Sequence, residues 1–141
     1  AAILSARIPR DSLAVICINF PEPPQRDRGS SCEEAESRFH LLTADFFRDA
    51  HTALARGGVL TILSDNLGYM RSLAKILGSL RADDDRPLFA APRRLRPAAR
   101  VREEIVGVPV CDGFPGPEAG HAVRAASYFD RFFESGQQLE R

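Results

Sequence analysis

Two short polar clusters carry the groups that chemistry at a ligand would need. The first is Asn19-Phe-Pro-Glu-Pro-Pro-Gln25, which places an amide and a carboxylate just after an apolar run. Prolines on either side of Glu22 stop that run and hold the carboxylate in a stiff loop. The second is Ser64-Asp65-Asn66, which closes another apolar run. In open α/β sheets, ligands bind beyond the carboxyl ends of the strands. If the two runs are neighbouring parallel strands, Glu22 and Asp65 face one crevice. Paired acids there suit a purine edge, a sugar hydroxyl or a cationic ligand. A plainer reading stays open beside this one: Glu22 in a hard turn facing solvent, and Ser64 to Asn66 as ordinary helix-capping chemistry.

Other reactive types are scattered. Ser127-Tyr-Phe-Asp130 has the spacing of a capping box, which explains it without a ligand, and Arg131 beside it serves either a phosphate or the solvated helix surface. Arg93, Arg94, Arg96, Arg100 and Arg102 form a basic cluster suited to RNA phosphates, yet Glu103 and Glu104 adjoin it and a solvated loop fits equally well. Cys17, Cys32 and Cys111, with His40, His51 and His121, lack the paired spacing of a metal site or a disulfide framework. The expectation is no metal and a reducing compartment, cytoplasmic or nuclear. No G-x-G-x-x-G, no G-x-x-x-x-G-K-[ST] and no nucleophile elbow occurs.

The elements that must position these groups follow from periodicity. Leu13 to Ile18 is apolar without alternation and predicts a strand covered on both faces. Phe39, Leu42, Phe46, Phe47, Ala50, Ala53 and Leu54 share a helical face, and Gly57-Gly58 is expected to cap that helix. Val59 to Leu63 is the next strand. Leu67, Met70, Leu73, Ala74, Leu77 and Leu80 make the stripe of a second helix, with Asp65 or Asn66 at its N-cap. This strand, helix, strand, helix rhythm implies an α/β fold with a mostly parallel sheet.

Around this unit, residues 1–12 read as a lead-in and 26–36 as an exposed polar stretch. Residues 81–87 read as a charged turn and Leu88 to Ala91 as a short strand. Ile105 to Cys111 reads as a strand interrupted by Pro109, Gly113 to Gly120 as a loop, and Val123 to Phe133 as a helix.

A length of 141 residues, with no repeat and no dividing linker, fits one domain. Zero formal net charge argues against nucleic-acid binding by bulk electrostatics. No apolar stretch is long enough to cross a membrane. The chain opens on Ala1 and its one methionine is Met70, so it reads as a processed chain or a piece of a longer one.

Three segments, in order, resemble one family, the tRNA (guanine-N7) methyltransferases. N-F-P-E-P at 19–23 resembles that family's N-F-P-D-P-W signature. Asp45-Phe-Phe through Leu54-Ala-Arg-Gly-Gly58 to Ser64-Asp65 resembles its helix, Gly-Gly turn, strand and Thr-Asp. Ser127-Tyr-Phe-Asp-Arg131 resembles its T-K-F-E-x-R motif. The likeness spans about residues 12–138, with 81–120 aligning poorly.

The resemblance implies a partial Rossmann-like methyltransferase sheet and S-adenosylmethionine as cofactor. It places Glu22 as the principal active-site acid, with Asn19 beside it at the methyl-transfer point, both next to the cofactor. It gives Ser64, Asp65, Ser127, Asp130 and Arg131 to the target guanine of tRNA. The family's cofactor-binding glycine-rich loop is expected upstream of residue 1, which makes this the C-terminal, substrate-side half.

Departures from the pattern are specific. Glu22 replaces Asp, Pro24 replaces tryptophan, Tyr128 replaces lysine, Gln25 stands near an expected lysine, and Glu33, Glu34 and Glu36 stand where basic residues are expected. The losses of positive charge lower affinity for a polyanion. They leave two alternatives: a degenerate, non-catalytic domain serving as an interaction or scaffold module for a protein partner, and a methyltransferase with a less anionic substrate.

Overall fold

Seven residues, Leu13–Asn19, form strand β1, and Leu54–Leu63 form β2. The computed structural model describes residues 2–24, 40–91 and 100–112. β1 and β2 pair in parallel, from Val15 opposite Val59 to Asn19 opposite Leu63. Parallel neighbours need a crossover, and helix α2 (Ala44–Ala53) lies within it. Helix α3 (Leu67–Ser79) follows β2. The chain is α/β, as the rhythm of apolar runs implies.

One core holds this unit together. Phe46, Phe47 and Ala50 from α2, Tyr69 and Leu73 from α3, and Leu42 and Leu80 are buried together, with Ile16, Ile18, Leu60 and Ile62 of the sheet packed against them. Phe47 is fully buried. Alternation sends Val15 and Val59, direct partners across the ladder, to the other face, where each is 45% exposed. The expectation of a strand covered on both faces is therefore corrected. An unbroken apolar run carries no information about which face is packed.

The helix boundaries come from caps. Thr43 Oγ1 accepts from the Phe46 amide at 3.2 Å, so α2 starts at Ala44 rather than at Phe39. The chain is already extended at Leu54, and Gly57-Gly58 does not cap the helix. Instead the ladder skips from Leu13 opposite Leu54 to Val15 opposite Val59, and the two glycines lie in the bulge between them. Gly57 has φ +80°, and a Cβ on Gly58 would meet the carbonyl oxygens of Ala55 at 2.8 Å and Leu13 at 2.9 Å. Both positions need glycine, but for a strand irregularity.

Three further segments differ from expectation. Residues Ala2–Arg7, read as a lead-in, form helix α1, which packs against α2 and sends Leu4 to the core. Leu88 to Ala91 is not a strand. The Leu88 amide bonds the Leu80 carbonyl at 3.0 Å, and Leu88 and Phe89 pack on the core as a loop. A four-residue apolar run cannot separate these outcomes.

The last difference is a hairpin. Arg100–Ile105 (β3) pairs antiparallel with Val108–Asp112 (β4), so Arg100 and Arg102 lie on a strand rather than in a loop. The parallel part of the fold is β1–β2 alone among the described residues. Val106 at φ +49° and Gly107 at φ +76° make the two-residue turn, with the positive φ pair of type I′. Valine at such a position is rare, which hid the turn from the sequence. Pro109 sits opposite Glu104, and a two-stranded sheet has outer edges that tolerate it.

Candidate functional site at the strand ends

The parallel register decides the geometry. Asn19 ends β1 opposite Leu63, the last residue of β2, so the two polar clusters leave the sheet at the same end. At the end of β1, the Phe20 amide bonds the Leu63 carbonyl at 2.8 Å, one step beyond the strand. Phe20 has φ +47°, an uncommon conformation for a bulky residue, and there the chain turns into the proline loop. Asn19 and Glu22 are exposed.

At the end of β2 the roles of the three polar residues separate. Asn66 caps α3, its Oδ1 accepting from the Tyr69 amide at 2.9 Å. Ser64 Oγ accepts from the Asn66 amide at 3.1 Å and shapes the turn. Asp65 is exposed, and the cap does not use it. Capping chemistry thus accounts for Asn66 and Ser64 and leaves the Asp65 carboxylate for another partner. Ser127, Asp130 and Arg131, with Arg93, Arg94 and Arg96, lie outside the described residues.

Sequence reasoning missed two side chains that meet here. His40 Nε2 lies 2.7 Å from the Tyr69 hydroxyl and 3.2 Å from the backbone carbonyl oxygen of Glu22. The two rings meet edge to face, centroids 5.6 Å apart. Tyr69 is 7% exposed, and burial pushes its phenol above the usual range, so the hydroxyl keeps its proton, and the His40 tautomer decides which partner donates. Tyr69 carries a signal of a kind: it is an aromatic with a polar tip on the buried side of α3, and such tips find partners. Nothing in the sequence marks His40 as that partner.

Two of the basic residues near the hairpin are engaged. Arg71 pairs with Glu103 at 2.8 Å, and Arg102 with Asp112 at 3.2 Å. Arg102 belongs to the cluster considered for RNA phosphates, and its guanidinium here serves a carboxylate.

No family model, curated protein or solved structure matches the chain. Among the described residues, no helix is long and apolar enough to cross a membrane.

Proposed function

We propose that this chain forms the substrate side of a tRNA (guanine-N7) methyltransferase-like domain with a Rossmann-like sheet, its cofactor S-adenosylmethionine. One observation carries the proposal: the parallel pairing of β1 with β2 delivers Asn19 and the Glu22 loop to the same sheet end as Asp65. Two of the three segments that resemble the family thus converge.

The residues suit the chemistry. The cofactor, when bound, supplies a methyl group on a sulfonium, and an exposed carboxylate is the group that tolerates such a cation. Guanine N7 is already a lone-pair nucleophile, so the chain need not provide a strong base. Attack makes the purine cationic. Glu22 stabilises that developing charge, an effect on the order of a hundredfold in rate for one well-placed group. The N1–H and N2–H₂ donors of guanine match an acceptor such as Asp65. Asn19 orients the reacting atoms, and alignment supplies much of the rest. The family resemblance, not the described structure, adds Ser127, Asp130 and Arg131 to the residues that would bind the base.

Calorimetric titration of S-adenosylmethionine into this chain and into its longest native form is the first test. Methyl transfer to tRNA by a form that binds cofactor is the second, with Glu22→Ala expected to lose about a hundredfold. No cofactor binding by either form, and no salt-sensitive tRNA affinity, overturns the reading. A second reading is a non-catalytic interaction module. It is favoured by the open sheet face at Val15 and Val59, since parallel sheets are ordinarily covered on both sides.

A further inference from the structure

We propose that Tyr69 and His40 are positioning residues that clamp the Glu22 loop to helix α3. The inference rests on reading that loop as part of the site. Tyr69 is a fixed post: its amide is held by the Asn66 cap and its ring is buried in the core. Its hydroxyl meets His40 Nε2 at 2.7 Å, and the same nitrogen reaches the Glu22 carbonyl oxygen at 3.2 Å. A rigid helix is thereby linked through one imidazole to the residue that carries the carboxylate.

The position of one proton governs the link. A backbone carbonyl only accepts hydrogen bonds, so Glu22 is held when Nε2 carries the proton. The Tyr69 oxygen then accepts from the same N–H in a three-centre arrangement. With the proton on Nδ1 instead, Tyr69 donates to Nε2 and the Glu22 carbonyl loses its partner. The clamp therefore requires the Nε2–H form.

What the clamp holds is costly to hold otherwise. Phe20, two residues before Glu22, sits at φ +47°, and such a conformation persists only where its surroundings over-determine it. The Phe20 amide bond to Leu63 fixes one side of the turn. The His40 bond to Glu22 fixes the other. Between these two anchors lies Pro21, whose ring removes one rotation. Glu22 is thus presented on a braced segment, which is how a group meant to act at a defined point is held.

Tyr69→Phe tests this with the ring packing preserved, and His40→Gln and His40→Ala divide the histidine's donor from its bulk. The readouts are ¹⁵N relaxation of the Glu22 amide, the ring-nitrogen shifts of His40, and methyl transfer to tRNA by the longest native form. Wild type is expected to show Nε2–H and a rigid Glu22, with an order parameter of about 0.85. Tyr69→Phe and His40→Ala drop that value below about 0.6. They also lower kcat about tenfold with KM within about twofold, the pattern of misplacement rather than lost binding. His40→Gln restores much of both.

An unchanged Glu22 amide in Tyr69→Phe and His40→Ala overturns the clamp, whatever the activity. A loosened Glu22 with unchanged kcat overturns its positioning role. A loosened Glu22 in a protein whose wild type transfers no methyl group leaves the clamp standing and removes the methyltransferase reading alone.

Discussion

Gly78 lies against the backbone of Val106, so that a Cβ on Gly78 would collide with the Val106 carbonyl oxygen and sit 2.6 Å from the Val106 Cβ. This is where α3 packs on the β3–β4 hairpin. The glycine has no conformational duty here; it is required for close approach. Gly78→Ala is expected to force helix and hairpin apart and to cost about 2 kcal/mol, despite alanine's better helix propensity. Urea denaturation measures it, and an unchanged or raised midpoint sinks the packing argument.

Gly107 makes a useful contrast. Its φ is +76° but nothing lies within 4 Å of a would-be Cβ, so only backbone strain opposes a side chain. Gly107→Ala should cost about 1 kcal/mol, less than Gly78→Ala. At the neighbouring position, Val106 is 57% exposed with φ +49°. Val106→Asn is expected to raise stability by about 0.5 kcal/mol, because asparagine tolerates that conformation. A thermal melt in which the asparagine variant is the weaker protein would show that valine's contact with α3 outweighs its strain.

Asn66 and Asp65 are adjacent, and the structure assigns them different work. Asn66→Ala removes the α3 cap and should cost about 1 kcal/mol. Asp65→Ala should change stability by less than about 0.5 kcal/mol, as expected for an exposed side chain outside such features. Its effect should appear in ligand affinity. Equal destabilisation by the two would return Asp65 to a structural role.

Cys17 and Cys111 are exposed residues whose thiols are nonetheless pushed above the usual value. Desolvation of the sulfur is the cause in both, and the Asp112 carboxylate adds to it at Cys111. A raised pKa leaves less thiolate at any given pH, so both should alkylate more slowly than a free thiol at pH 7.5. The difference should close as pH rises past the thiol range. Asp112→Asn should quicken Cys111 and leave Cys17 unchanged. Iodoacetamide kinetics read peptide by peptide decide this, and equal acceleration of both cysteines would rule out the local electrostatic cause.

The elements of the first half were legible because their signals are local. The helical faces named from spacing hold Phe46, Phe47, Ala50, Leu73 and Ala74, and all five are buried. That the Glu22 and Asp65 clusters leave the sheet at one end was legible too, since it needs only two parallel neighbours. What was not legible depends on contacts distant in sequence. The side of β1 that packs is chosen by α2 and α3. Gly57-Gly58 looks alike as a helix cap or a strand bulge until β1 is laid beside it. His40 and Tyr69 stand 29 positions apart, and no spacing rule joins them.

The register of β1 also sets an order of assembly. About forty residues of chain separate Val15 from its partner Val59, whereas the β3–β4 hairpin closes over two residues. Closing the longer loop costs more entropy before any contact repays it. The helices and the hairpin are therefore expected to gather first, with β1 the last strand to dock. Ile16→Val should accordingly hasten unfolding while scarcely slowing refolding. Asn19 ends that strand and Glu22 follows it, so a chain that has let go of β1 keeps most of its helical signal yet no longer brings these residues to the sheet end that Asp65 shares. Loss of ligand binding on gentle heating should then precede loss of far-ultraviolet ellipticity, with function failing by undocking before the fold fails by melting.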